Sequence, residues 1–410
     1  MNNSDLKHLI QKQKSNFSLD QEFYINQHIF DLDIKNIFSK QWVFVGHVSR
    51  IPNYGDYFLF NIGKESIIII RDKDNSIHAH YNVCRHRGSH ICLENEGNTK
   101  ALICPYHAWT YNLDGSLRGA RLMEKGFDKT QWHLHACNVK IFEGLIFINL
   151  SENPNSFEEF ISPTKKFIEF HGLADAKIAH RQYYPTNGNW KLTLDNFHEC
   201  YHCHPSHPEY CQVHDKEYII AYGAGSNTGP ASDKFDKVLS DWNEKVNKMG
   251  HLTGEYSETE FNDYSRSAER TPLKEGMFTE TKSGKPVSKL MGKFKDYDCG
   301  YTSVGTSPFN SLLMCNDFAT LFTFIPVSPL YTQVELMWLV HKDAEEGKDY
   351  NLDEMKWMWD VTTIADKRII EDNQKGVLSE KYIPGPLSEM EKGLEKFKRW
   401  YLRHLENSLA

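Results

Sequence analysis

Two spacings of apolar residues divide the chain. Up to residue 40 the apolar positions Phe30, Ile34 and Ile37 recur three and four apart after Asp31, which is the spacing of one helix face. From Trp42 the period drops to two. WVFVG, DYFLFN, ESIIIIR and IHAHYN read as short strands, parted by Asn53, Gly55, Gly63 and the KDNS segment. NLDGS at 112–116 carries an Asp-Gly hairpin signal, and Glu143-Gly144 marks a turn inside KIFEGLIFINL. The pattern predicts a helical segment over 1–40, an all-β module over 41–150 and a larger remainder over 151–410.

That remainder is mixed. SENPNSFEEF reads as a loop entering a helix, and 188–204 as a helix ended by Pro205 and Pro208. The stretch 218–310 is rich in Gly, Ser, Lys and Asp with weak periodicity, and is expected to be long loops with some helix covering a site. FATLFTFIPV and TQVELMWLV form a hairpin around Ser328-Pro329. A helix follows from Leu352, and a last one starts at Ser388, where Ser388 and Glu391 make a capping box.

Composition narrows the class. The chain has 410 residues and a net charge of −8, which favours solubility and speaks against a nucleic-acid footprint. No run approaches the ~18 apolar residues of a membrane span, and the polar start MNNSDLKHLIQKQKSNF is no secretory signal. A cytoplasmic protein is expected. Nine cysteines, an odd count over a long chain, argue against a disulfide framework. Cys92, Cys137 and Cys211 read as small buried hydrophobes, while His78, His80 and His90 satisfy local hydrogen bonds.

Four residues stand apart. Cys84 and His86 lie in CRHRG; Cys104 and His107 lie in CPYHAW, with 17 residues between His86 and Cys104. Zinc accepts two thiolates and two imidazoles, but finger spacing groups cysteines with cysteines and histidines with histidines. Here the two types alternate. Alternation suits a Rieske-type [2Fe–2S] cluster, with both thiolates on one iron and both imidazoles on the other.

A second dense cluster is NWKLTLDNFHECYHCHPSHPEY, 189–210. His198-Glu199-x-x-His202 is the zinc-protease pattern, with histidines on one helix face. A protease has no use for an upstream redox cluster. The other pairing is His202 with His207. On an ideal helix five residues turn about 140° apart, but Pro205 intervenes, and His207 can swing back from a loop. A distant carboxylate would complete a two-histidine, one-carboxylate iron site with open positions. The helix DVTTIADKRIIEDNQKG offers Asp360, Asp366, Glu371 and Asp372.

With both motifs in this order, the chain resembles the catalytic α subunit of a Rieske non-haem iron oxygenase over nearly its whole length. The resemblance implies an α+β fold: an N-terminal all-β Rieske domain, then a helix-grip-like antiparallel-sheet catalytic domain over 151–410 with mononuclear iron, against which segment 1–40 packs. It implies O2 as co-substrate, a ferredoxin or flavin reductase as electron donor, and a homotrimer. It singles out Asp366 as third iron ligand, ahead of the Glu371–Gly376 stretch. Glu199, three positions before His202, is implied as the carboxylate bridging a Rieske histidine of one subunit to an iron histidine of its neighbour. Asp195 is a weaker candidate for that bridge.

Glu199 itself, ECYHCHPSHPEY, GARLM at 119–123 and SEKYIPGPLSEMEKGLEKFKRWY at 379–401 are similar to enzymes acting on quaternary ammonium compounds: glycine betaine, stachydrine, carnitine and choline monooxygenases. The implied reaction is N-methyl hydroxylation, giving N-demethylation and formaldehyde. An aromatic-ring dioxygenase is the alternative. A methylammonium group calls for aromatic faces; Phe197, Tyr210, Phe309, Phe318 and Phe322 flank the iron region.

Overall fold

The computed structural model describes residues 2–221, 230 and 232–409. The chain forms two compact units, one of Ser39–Asn155 and one of Met1–Phe38 with Ser156–Ala410.

The smaller unit is all β. Its four-stranded sheet runs Ile77–Tyr81, Glu65–Arg71, Asp56–Ile62, Glu96–Asn98. Ile67, Ile68, Ile69 and Ile70 are all fully buried, so this central strand is covered on both faces and shows no alternation. A three-stranded sheet joins Val43–His47, Leu145–Asn149 and Asn138–Phe142. Its hairpin turns at Glu143 (φ 48°) and Gly144 (φ 74°), the two left-handed positions of a type I′ turn. The third sheet, Leu102–Ile103, Thr110–Tyr111 and Leu117–Gly119, carries the NLDGS turn, with Gly115 at φ 86°.

The larger unit holds a seven-stranded antiparallel sheet. Its order is Ala176–Thr186, Tyr331–His341, Phe318–Ser328, Asn310–Met314, Gly300–Gly305, Ser267–Pro272, Gly254–Ser257. The 26-residue helix Leu352–Val377 packs on strand Ala176–Thr186 and helix Trp190–Phe197, the helix-grip arrangement. It buries Met355, Met358, Trp359, Thr362 and Thr363 at helical spacing. No helix of the described residues is long and apolar enough to cross a membrane.

Two expectations need correction. Residues 218–310, of which 222–229 and 231 lie outside the described residues, hold long loops and helix Asp233–Lys248 as expected, but they also supply three unforeseen strands of the large sheet. Those strands bury polar residues such as Glu269, Arg270, Thr302 and Ser303, which hides the hydrophobic period. The 188–204 helix ends at Phe197, well before Pro205. Beyond it the Glu199 carboxylate accepts from the Tyr201 and His202 N–H groups, an alternative to the helical ladder. Cys200 and Cys203 are joined by a disulfide, a local link that is not a framework and leaves that expectation standing.

Candidate active site

The two upstream loops share one backbone frame. Cys84 N–H donates to Ser89 O and Gly88 N–H donates to Cys84 O, both at 2.9 Å. Cys104 N–H donates to Trp109 O (2.9 Å) and Ala108 N–H to Cys104 O (3.0 Å). Each loop closes through one left-handed residue, Gly88 (φ 81°) or Ala108 (φ 57°). Cys84 and Cys104 are buried in a core with Trp109 and Tyr111. His86 and His107 are exposed, their rings 4.6 Å apart. The set therefore presents thiols inward and imidazoles outward.

Two thiols grouped inside and two imidazoles grouped outside fit a Rieske cluster, in which both thiolates sit on one iron and both imidazoles on the other. The Tyr111 hydroxyl, which accepts from Arg85 N–H (3.1 Å), lies 3.3 Å from Cys84 Sγ and has its own hydrogen for the sulfur.

The Asn-Trp-Lys motif builds the second site's support. Asn189 caps helix Trp190–Phe197 and donates to Tyr24 O and Pro329 O, both at 2.8 Å. Trp190 Nε1 donates to Asp33 (3.1 Å), and Lys191 Nζ makes a fully buried ion pair with the same carboxylate. These residues anchor the helix and do not face the donors.

His202, His207 and Asp366 form the group whose donor atoms lie within 4.8 Å of one another. Asp366 Oδ1 is 2.8 Å from His207 Nε2 and 3.3 Å from His202 Nε2. The far side of each ring also meets a carboxylate. His202 Nδ1 is 2.5 Å from Glu199 Oε1. His207 Nδ1 is 3.2 Å from Glu209 Oε1, an ion-pair distance outside hydrogen-bond geometry. The Glu199 carboxylate turns His202 Nε2 toward Asp366, as supporting acids do behind metal-bound histidines. Burial opposes charge on His202, yet Asp366 and Glu199 outweigh it and lift its pKa to about 10. Burial likewise opposes charge on Asp366, and the two imidazoles outweigh it, holding this carboxyl below its usual range. A pocket that favours positive charge at this point, with three converging donors, fits a divalent iron.

The other candidates lie apart from this group. Asp360 accepts from Tyr184 Oη (2.6 Å) and Gln182 (3.2 Å), and Glu371 from Asn187 N–H (3.0 Å). Asp372 pairs with Lys375. His198 caps the end of helix Trp190–Phe197 and packs on Phe397, its pKa pushed down by burial to about 4. It shares no helix with His202, so the protease pattern has lost its geometry. Asp195 sits 3.4 Å from Tyr24 Oη, and burial raises its pKa to about 7.

Two cavities meet at this point. The outer one, about 210 Å³, is bounded by Tyr24, Asp195, Glu199, His202 and Lys398. The inner one, about 40 Å³, is bounded by Phe197, Tyr210, Tyr301, Trp359, Thr362 and the three donor residues. Asn196, Glu199 and His202 belong to both and partition them. Glu209, Tyr301 and Trp359 escaped the sequence reading. Trp359 had a signal: it stands seven residues before Asp366, two turns along one helix face. Phe309 instead stacks on Phe38, and Phe318 is buried in the sheet.

A Rieske [2Fe–2S] domain is matched over residues 41–142, and the ring hydroxylating alpha subunit catalytic domain over residues 173–407. The chain belongs to the ring-hydroxylating alpha-subunit family. It is therefore an oxygenase carrying a Rieske [2Fe–2S] cluster and a mononuclear iron. The glycine betaine monooxygenase oxygenase subunit of Pseudomonas aeruginosa PAO1 is 36% identical over 98% of this chain and 92% of its own length. That of Chromohalobacter salexigens is 33% identical, over 96% and 87%. A solved quaternary ammonium Rieske monooxygenase superposes with a TM-score of 0.72 at 24% identity, covering 96% of this chain and 97% of that one, which establishes the shared fold.

Proposed function

We propose that this chain is the oxygenase component of a Rieske monooxygenase that hydroxylates an N-methyl group of a glycine-betaine-like quaternary amine. In balanced form, one N-methyl group, O2, two electrons and two protons give an N-hydroxymethyl group and water. The hydroxymethyl product then releases formaldehyde and the demethylated amine. The bound cluster and iron supply the electrons and the O2 activation. Cys84, His86, Cys104 and His107 would hold the cluster; His202, His207 and Asp366 would hold the iron.

The observation that carries the reading is the inner cavity, whose aromatic walls Phe197, Tyr210, Tyr301 and Trp359 stand beside the three donors. Aromatic faces attract a methylammonium cation, and four of them line this cavity. Full-length similarity to two glycine betaine monooxygenase oxygenase subunits points the same way. Glu199 is assigned to carry electrons inward from the Rieske histidine of a neighbouring subunit in a trimer. The electrons come from a separate ferredoxin or flavin reductase. The test is formaldehyde release across a panel of betaines, with a surrogate reductase. A cis-diol formed from an aromatic substrate, with no formaldehyde from any amine, would overturn the proposal.

A further inference from the structure

Behind the inner cavity lies a buried acid–imidazole pair that touches three of its aromatic walls. Glu280, in the connection between strands Ser267–Pro272 and Gly300–Gly305, is fully buried, and His214 is 1% exposed. Glu280 Oε1 lies 2.9 Å from His214 Nε2, and Oε2 accepts from Trp359 Nε1 at 3.0 Å. His214 stacks on Tyr210, ring centroids 4.1 Å apart at 25°. Tyr301 meets the same imidazole edge-on at 5.1 Å and 78°. Tyr210 and Trp359 touch each other at 5.9 Å. Three wall residues from three separate elements are thus fastened to one pair.

We propose that Glu280 and His214 form the positioning and charge-setting hub of a cation subsite. The claim rests on the quaternary-amine reading above and deepens it by naming what makes the cavity select charge. Indole N–H is a donor only, so Oε2 must accept; an Nε2–H on His214 gives Oε1 the same role. With both oxygens accepting and the imidazole neutral, Glu280 is a carboxylate and the pair carries one net negative charge, which is the state the proposal assigns. That charge lies behind the rings, shielded from solvent. Rings alone attract a cation through their quadrupoles; a buried anion behind them adds a longer-range attraction that weak local screening leaves large. The hub also fixes ring orientation. The Trp359 indole is held at its nitrogen, and Tyr210 and Tyr301 are held by a flat imidazole between them. Neither Glu280 nor His214 lines the cavity, so both act through the wall residues.

Glycine betaine and its carbon isostere 3,3-dimethylbutyrate, which replaces N⁺ by neutral carbon, separate charge from shape. Binding to anaerobic holoenzyme is measured by calorimetry for wild type, Glu280→Gln and Glu280→Asp, with iron content and cluster absorption as folding controls. Wild type is expected to prefer betaine by tenfold or more, as a ~1.4 kcal/mol difference requires. Glu280→Gln, nearly isosteric, is expected to bring that ratio close to one by weakening betaine alone. Glu280→Asp keeps the charge and is expected to keep the preference while weakening both ligands, which carries the test if the amide variant fails to fold. Equal weakening of both ligands in Glu280→Gln, or loss of the preference in Glu280→Asp, would overturn the hub. A wild type that does not prefer betaine would overturn the substrate reading, and the hub with it.

Discussion

Glu199 Oε1 lies 2.5 Å from His202 Nδ1, while Nε2 of the same ring points to Asp366 Oδ1 at 3.3 Å. One imidazole thus connects a carboxylate shared by the two cavities to Asp366 of the donor group. Glu199→Gln keeps the side-chain shape and removes the charge. It is expected to retain both iron centres and to slow turnover about 10- to 100-fold, the usual cost of losing such a supporting acid. Single-turnover oxidation of the reduced cluster, followed by absorbance, is the measurement. An unchanged rate would exclude Glu199 from the electron path.

Asp366 is the one acid of helix Leu352–Val377 among the four candidates that meets both histidines. Asp366→Ala is expected to lower iron from about three atoms per chain to about two, with an intact cluster spectrum and no product. Asp360→Asn serves as control, since Asp360 bonds Tyr184 and Gln182, and it should keep its iron.

The Tyr111 hydroxyl beside Cys84 Sγ bears on redox potential. A hydrogen bond to a cluster sulfur stabilises the reduced, more negative state. Tyr111→Phe is expected to shift the cluster potential to more negative values in a spectroscopic redox titration. A positive shift would contradict this role.

Lys191 and Asp33 form a fully buried ion pair, and Asp33 also accepts from Trp190 (3.1 Å) and Tyr401 (2.8 Å). Lys191→Met strands a buried charge and is expected to destabilise by about 3–5 kcal/mol in urea unfolding. The double variant Asp33→Leu/Lys191→Met should recover part of that loss. No recovery would mean that the contacts of Trp190 and Tyr401 dominate.

His171 is buried and bonded to Thr302 Oγ1 at 2.8 Å; burial first, then Arg270, lowers its pKa to about 3. Unfolded, it titrates near 6.5. The folded state binds its proton less readily, so stability is fully present above the unfolded pKa and is lost as pH falls below it. Between pH 7 and pH 5 the loss is about 2 kcal/mol. His171→Gln should show a correspondingly smaller drop in urea midpoint over that interval; an equal drop would locate the acid sensitivity elsewhere.

Much of the fold was legible wherever the deciding contacts are local. The Glu143-Gly144 and NLDGS turns, the strands of the small unit and the Ser388–Glu391 capping box each depend on residues within a few positions. Strands in 254–305 were hidden, because polar residues such as Arg270 and Glu269 are buried among partners distant in sequence. The helix end at Phe197 was missed for another reason: Glu199 offers its oxygens to the backbone N–H groups of Tyr201 and His202, a competition that propensity does not reveal.

By itself the sequence determined the two chemical signatures and their order. Cys-x-His with Cys-x-x-His places donors on two short loops, and the break between the histidines falls at His207, the residue before Pro208, while Pro205 stays inside helix Cys203–Ser206. These are short-range consequences of spacing and backbone geometry. Only the tertiary structure decided which acid faces those histidines, and that Tyr210, Tyr301 and Trp359 share the support of His214 and Glu280. Asp366 lies 159 positions from His207, and Glu280 lies 79 positions from Trp359. Separations of that length are closed by the packing of the long helix and the connecting segments against the sheet, which no local pattern encodes.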